Sequence, residues 1–307
     1  MNRSFWLTLF AATGFTFCSF AQKTSVPEAN TLLWKISGKN LTRPSYIFGT
    51  MHMICANDIE LSDSLRNAIK NSDDVYLELD MDDMGQMMTA MMHMTMKGDT
   101  TLSDLLSAED YKKVKNYFED HSSLIPFSMM EKYKPLLLES MVMEQSDACD
   151  NMIVIEQLVM QQAKNYDKEI KGLETFDYQL GIFDKIPYKL QAQQLLKMVD
   201  DEKAGNNNDA DEIKVLTEAY RKQELSKMDD LTKDDPTIAG FTDILLYDRN
   251  ANWSKKLQQL MPDKALVVAV GAGHLPGKKG VLNLLREAGY KVEPVKNDMI
   301  KKKTKEI

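Results

Sequence analysis

The sequence predicts an α/β fold: a mainly parallel or mixed central sheet built from strands near both termini, with a large helical middle. Three observations lead there. Ala265 to Val270 is an unbroken apolar run that ends in Gly271-Ala272-Gly273-His274-Leu275-Pro276-Gly277. A strand that apolar is covered on both faces, as in the middle of a parallel sheet. Ser45-Tyr46-Ile47-Phe48 repeats the design much earlier, running into Gly49-Thr50-Met51-His52. Between the two, strand patterns alternate with helical ones, the rhythm of βα units.

Taken in order, Leu32 to Ile36 reads as a strand, Gly38-Lys39-Asn40 as a turn, and Ser45 to Phe48 as the second arm of a hairpin. Ser62 caps a short helix through Ile69, and Asp74 to Asp80 is a strand ending in acidic positions. Met81 to Met96 carries eight methionines, of which Met84, Met87, Met88, Met91 and Met92 keep helical spacing. A core-facing or lid helix is the plain expectation. A surface for apolar peptides or lipids is the other, since methionine adapts to irregular partners. A methionine copper site is a third option, and His93 reads as surface or packing.

From Ser103 to Gln162 the pattern is helical almost throughout, with Ser107 to Asp110 resembling a capping box and His121 closing a charged helix. Lys168 to Glu174 is a short strand, after which Thr175 caps the next helix. Gly205 to Asp209 is a loop and Asp234-Asp235-Pro236 a break. Phe241 to Leu260 reads as one amphipathic helix carrying Asp248-Arg249-Asn250. Gly277 to Ala288 is a helix ended by Gly289, and Tyr290 to Val295 the last strand. Residues 31–296 thus form one α/β domain with a helical cap over 81–165, preceded by a linker over 22–30 and followed by a basic tail over 297–307.

Residues 1–21 have the form of a secretory signal: Arg3, an apolar stretch from Phe5 to Phe17, then Ser19-Phe20-Ala21 with cleavage expected after Ala21. An uncleaved anchor is the alternative, although the stretch is short for a spanning helix. Bulky Phe17 before Cys18 argues against a lipoprotein signal. The expected location is therefore secreted or periplasmic, with no stable membrane span once the signal is gone. Loss of Arg3 takes the net charge from −8 to −9. No sustained basic face is present, which excludes nucleic acid as the expected partner. The remaining cysteines, Cys55 and Cys149, are each read as buried and inert, with a disulfide permitted by the compartment but not placed by sequence.

Four polar residues stand at predicted strand ends: His52, Glu78, Glu174 and His274. Parallel neighbouring strands would bring all four to one rim, where ligands of open α/β sheets collect. Two imidazoles and a carboxylate form a common ligand set for a divalent cation with open positions, as in hydrolytic zinc sites. That gives His52 and His274, with one of Glu78 and Glu174, to a metal. The second carboxylate is then a general base or an orienting group, Arg249 a neutraliser of an oxyanion or substrate carboxylate, and Asn250 an orienting or donating group. Gly49, Gly271 and Gly273 supply the turns.

Ile47-Phe48-Gly49-Thr50-Met51-His52, Val75-Tyr76-Leu77-Glu78, Lys171-Gly172-Leu173-Glu174-Thr175 with Gln179, Asp248-Arg249-Asn250 and Val270 to Gly277 together resemble the signature of the TraB/PrgY/GumN family. The resemblance runs from about Leu32 to Val295. It implies a fold like that of the erythromycin esterase and ChaN-type proteins. It also implies kinship with the Tiki proteases, which cleave extracellular signalling peptides with a divalent metal such as Mn or Co. Their required histidines and glutamate match His52, His274 and Glu78 here, which implies those three as metal ligands and leaves Glu174 as base or orienting carboxylate. A secreted metal-dependent hydrolase acting on a peptide or small molecule is the resulting expectation. A non-enzymatic module binding a peptide pheromone, or haem through His52 or His274, is the alternative.

Overall fold

The computed structural model describes residues 29–56, 59–121, 125–145, 151–204, 208–234 and 240–300. The signal segment 1–21, most of the linker, Cys149 and the end of the basic tail lie outside them. In chain order come β1 (Leu33–Ser37), β2 (Ser45–Thr50), β3 (Ile54–Cys55), α1 (Asp63–Asn71), β4 (Asp74–Leu79) and α2 (Met84–His93). Next are α3 (Leu102–Leu105), α4 (Ala108–Asp120), α5 (Phe127–Met130), α6 (Pro135–Gln145), β5 (Met152–Ile153), α7 (Ile155–Asn165) and β6 (Glu169–Glu174). The chain closes with α8 (Phe176–Phe183), α9 (Tyr188–Lys203), α10 (Asn208–Arg221), α11 (Leu225–Asp234), α12 (Asp248–Leu260), β7 (Leu266–Gly271), α13 (Val281–Glu287) and β8 (Lys291–Val295).

The molecule is an α/β protein around a six-stranded sheet ordered β6-β4-β7-β2-β1-β8. β6, β4, β7 and β2 run parallel, whereas β1 is antiparallel to both β2 and β8. β7 lies between β4 and β2. Its residues from Leu266 to Val270 are all buried, which is why its sequence shows no polar alternation. β1 and β2 form the expected hairpin, with Leu33 opposite Phe48 and Ile36 opposite Ser45. Ser62 caps α1 as its sequence implies, its Oγ accepting from the Leu65 N–H at 3.1 Å.

Parallel strands end on the same side of a sheet, so the exits of β2, β4, β6 and β7 share one edge. Gly49 and Gly271 make that edge possible. A Cβ on Gly49 would come within 2.9 Å of Leu275 Cδ1 and 3.2 Å of Ala272, and one on Gly271 within 3.3 Å of Glu78 Oε1. In each repeat the glycine keeps the backbone free of a side chain where the other repeat, or its carboxylate, must approach.

Two apolar cores result. The larger holds the sheet with α1, α7, α12 and α13. The second holds α3, α4, α5 and α6 against Ala192, Leu195 and Val199 of α9. Residues 81–165 are therefore not one packing unit: Ile155, Val159 and Ala163 of α7 belong to the sheet core, and α9 completes the helical one. The helical layer is anchored to α8 by Lys134, which is buried, donates to Leu180 O at 2.8 Å and pairs with Asp184 Oδ1 at 2.9 Å.

Several local expectations change. α2 is not core-facing: Ala90 is its buried residue, while Met84, Met88, Met91 and Met92 are 66–78% exposed. The helix rests against α8 and turns its methionine stripe outward. Phe241 to Leu260 is not one regular α-helix, because Asp243–Tyr247 is a π-helical turn in which the Asp248 N–H reaches Asp243 O. α13 starts only at Val281. The segment from Gly277 to Gly280 is a tight turn, with Gly277 at φ +82° and a Cβ on Gly280 falling 1.9 Å from Pro276 O. Asn208 and Asp209, expected in a loop, open α10. Cys55 is disulfide-bonded rather than an inert thiol.

A valine at position 49 tests the close approach. Gly49→Val should destabilise the protein by about 1–3 kcal/mol, the usual cost of overpacking, read as a lower urea midpoint with an unchanged slope.

Candidate functional site

β4 and β6 deliver Glu78 and Glu174 to the shared edge, β2 runs into His52, and a short 3₁₀ turn after β7 carries His274. α12 faces this edge with two consecutive buried residues, Arg249 and Asn250. Consecutive residues on a helix point about 100° apart. Here they divide the work: Arg249 turns to the carboxylates and Asn250 to the far side of the His274 ring.

Arg249 is the hub. Its Nη2 lies 2.5 Å from Glu78 Oε2 and 2.7 Å from Glu174 Oε1, and its Nε donates to both oxygens of Glu174 at 3.0 and 3.3 Å. Its Nη1 donates to Leu245 O at 3.0 Å and stands 3.2 Å from His274 Nε2. Trp253 backs the group: its ring lies beneath the guanidinium at 4.7 Å and beside the His274 ring at 4.4 Å, and its Nε1 donates to Glu174 Oε2 at 3.0 Å. Glu174 is thus filled by Arg249 and Trp253. Burial pushes its carboxyl above the usual range against the pull of Arg249.

Besides Arg249, Glu78 accepts from Gln179 Nε2 at Oε2, 3.4 Å, and from the Gly271 N–H at Oε1, 2.8 Å. Burial would raise its carboxyl, but His274, Arg249 and that N–H hold it at about 2, so it is ionised at neutral pH. The His274 ring is neutral there, because burial, resisted by Glu78, drives its pKa down to about 3. Its tautomer follows from its partner. Asn250 Nδ2 donates to Lys279 O at 2.9 Å, so Asn250 Oδ1 faces the ring and accepts from His274 Nδ1–H at 2.6 Å. The lone pair is left on Nε2, which accepts from Arg249 Nη1 at 3.2 Å and lies 3.9 Å from Glu78 Oε1.

His52 sits on the exposed rim, its side chain 76% accessible, with Nδ1 3.1 Å from Glu156 Oε1. The bond to Glu156 raises its pKa to about 9. His52, Glu78, Arg249, Gly271, Gly273 and His274 line one cavity of about 370 Å³, together with Gln179, Ile182 and Phe183 of α8 and Leu245 and Leu246 of the π-helical turn. Neither Glu174 nor Asn250 reaches its wall; both act on it through Arg249 and His274.

The predicted rim residues therefore converge, but not as a closed ligand cage. Among the described residues no three His, Cys, Asp or Glu side chains stand close enough together to hold one metal ion. The donor types nevertheless suit a divalent cation. His274 is a neutral imidazole with Nδ1 held by Asn250 and Nε2 facing Arg249 Nη1 at 3.2 Å, an ionised carboxylate stands beside it, and a second imidazole lies on the same cavity. One guanidinium facing two carboxylates also leaves the buried cluster one negative charge in excess.

Sequence reading missed Glu156, which is buried on α7 beneath His52 and also accepts from Thr50 Oγ1 at 2.7 Å. A signal existed: Glu156, Val159 and Ala163 fall on one helical stripe, and an acid within an apolar stripe is out of place. His93, exposed and 3.8 Å from Asp177, lies on α2 away from the cavity lining.

A family model described as the TraB/PrgY/gumN family matches residues 32–294. This chain belongs to the TraB/PrgY/gumN family. Among curated proteins similar to it, human metalloprotease TIKI1 is 24% identical over 88% of this chain and 63% of its own length. Metalloprotease TIKI2 of Danio rerio is 22% identical over 88% and 62%, and the metalloprotease TIKI homolog of Nematostella vectensis is 22% identical over 89% and 69%. The chain spans less than two thirds of the length of the two vertebrate TIKI proteins. No solved structure matches it. Among the described residues no helix is long and apolar enough to cross a membrane.

The buried histidine of this TraB/PrgY/gumN site sets a pH dependence. An unfolded chain protonates His274 near 6.5 and the folded one only near 3, so the unfolded state binds the extra proton and stability falls as pH drops through that interval. Glu78, ordinarily near 4.5 and held at about 2, adds a second loss below 4.5. Glu174 acts in the opposite sense. Thermal midpoints of metal-stripped protein should decline from about pH 6.5 to about pH 5, and His274→Asn should flatten that part of the curve. Arg249→Met should cost about 3–5 kcal/mol by denaturant unfolding, because it strands two buried carboxylates.

Proposed function

We propose that this protein is an extracytoplasmic metal-dependent hydrolase whose substrates are peptides. The observation that carries the reading is the meeting of both G-x-x-H histidines and Glu78 on one cavity, at the edge where the four parallel strands end. Similarity to proteins named metalloproteases supports it, as does the excess negative charge of the buried cluster. His52, Glu78 and His274, which do not stand close enough to cage an ion as they are, would have to close on it; the ion would supply Lewis acidity toward a scissile carbonyl and activate water.

The chain's own groups do the rest. Arg249 keeps Glu78 ionised and in place, while Glu174 and Trp253 keep Arg249 in place. Asn250 holds His274 with Nε2 forward. Ile182, Phe183, Leu245 and Leu246 give the cavity an apolar wall suited to a hydrophobic side chain, and Gln179, whose Nε2 donates to Glu78 Oε2 at 3.4 Å, adds a polar group to that wall. The roles differ from those first expected for Glu174, Arg249 and Asn250: saturated partners make them positioning groups in this reading.

The experiment is metal analysis of purified protein with Mn, Co or Zn, alongside cleavage of a peptide library. His52→Ala and His274→Ala should each lose bound metal and cleavage. Full activity of either variant without metal would end the reading. A second reading, non-enzymatic capture of an apolar peptide, is favoured by the outward methionine stripe of α2. Under it, affinity for the peptide survives both histidine changes and is lost when Met88 and Met92 become glutamine.

A further inference from the structure

Each G-x-x-H histidine is held from behind by an oxygen on a helix. For His274 the oxygen is Asn250 Oδ1 on α12, 2.6 Å from Nδ1. For His52 it is Glu156 Oε1 on α7, 3.1 Å from Nδ1. In both cases Nδ1 is engaged from the helix, so Nε2 is the nitrogen a ligand would have to reach; that of His274 accepts from Arg249 Nη1 at 3.2 Å.

We propose that Glu156 is a positioning residue that fixes the ring of His52 for metal binding, as Asn250 fixes that of His274. This rests on the hydrolase reading above. The need is greater at His52. Packing against Trp253 already restrains the buried His274 ring, whereas the His52 ring stands 76% exposed on the rim and has no such wall. A long-range hydrogen bond is what sets its direction.

Glu156 is built for that duty. It is 6% exposed, on a helix face otherwise made of Ile155, Val159 and Ala163. A carboxylate is costly there unless its bonds repay it. Oε1 accepts from Thr50 Oγ1 at 2.7 Å and faces His52, so both ends of the Thr50-Met51-His52 segment are tied to one atom. Oε2 is buried without a hydrogen-bond partner among the described residues. The site keeps a charged acceptor where an amide would satisfy the geometry, and a carboxylate behind an imidazole makes it the stronger donor to a cation.

The test compares Glu156→Ala and Glu156→Gln with the parent in the full-length protein, circular dichroism confirming the fold of each. Two readouts are used: calorimetric Kd for Mn²⁺ and Zn²⁺, and ¹⁵N signals of the His52 ring in metal-free protein, recorded above its titration. Glu156→Ala should weaken metal binding about 10- to 100-fold and move the ring proton from Nδ1 to Nε2. Glu156→Gln, whose amide oxygen still accepts from Nδ1–H, should retain the Nδ1–H signal and recover much of the affinity. An unchanged Kd in Glu156→Ala overturns the proposal, whether or not the ring signal moves. If the parent itself takes up neither ion, the hydrolase reading fails by that result, and the ring signal alone still decides whether Glu156 orients His52.

Discussion

Arg249 brings one positive charge into a dry place and shares it between Glu78 and Glu174, with His274 at the third side. Burying an arginine is expensive unless its donors are met by charged acceptors in good geometry. Here the acceptors arrive from two strands of the sheet, and the arginine from a helix laid across their ends. Every group in the cluster constrains the others. Glu78 is ionised because Arg249 and Gly271 face it, and His274 is neutral because it is buried beside a guanidinium rather than in water. A negative remainder and a neutral imidazole follow from that one ion pair.

The helix that carries Arg249 is prepared for the task. The π-helical turn over Asp243–Tyr247 adds a residue to the winding just before it, and Leu245 O in that turn accepts from Arg249 Nη1. The same turn sends Leu245 and Leu246 to the cavity wall. A local irregularity thus serves the polar cluster and the apolar wall together, which is the usual setting for π-bulges.

Much of this was legible in the sequence. Apolar runs that stop at Gly49 or Gly271 marked the strands and the edge where they end, because burial on both faces and close approach leave a plain pattern of Val, Ile and Gly. Of the polar residues just past those runs, His52, Glu78 and His274 meet on one cavity. What stayed hidden depended on partners rather than on pattern. Glu156 looks like any acid in a first helical turn until Thr50 and His52 are found above it. The methionines of α2 keep the spacing of a buried stripe yet face outward, since periodicity shows that a face exists and not what covers it. Glu174 and Arg249 were each visible alone, but their mutual saturation, which changes the work they can do, required the fold. The disulfide at Cys55 was equally beyond reach, spacing alone being silent on which thiols meet.

The position of β7 has a consequence for how the molecule comes into being. It is the second-last strand in the chain, yet it fills the slot between β4 and β2. Until residues 266–271 are in place, β4 and β2 have no strand between them, and the two halves of the sheet are linked only from outside it, as by the β3–β5 pairing and the Thr50–Glu156 bond. The cavity is incomplete before then, because the same strand leads into His274. Removal of residues 266–274 would therefore take away the central strand and one of the two G-x-x-H histidines together.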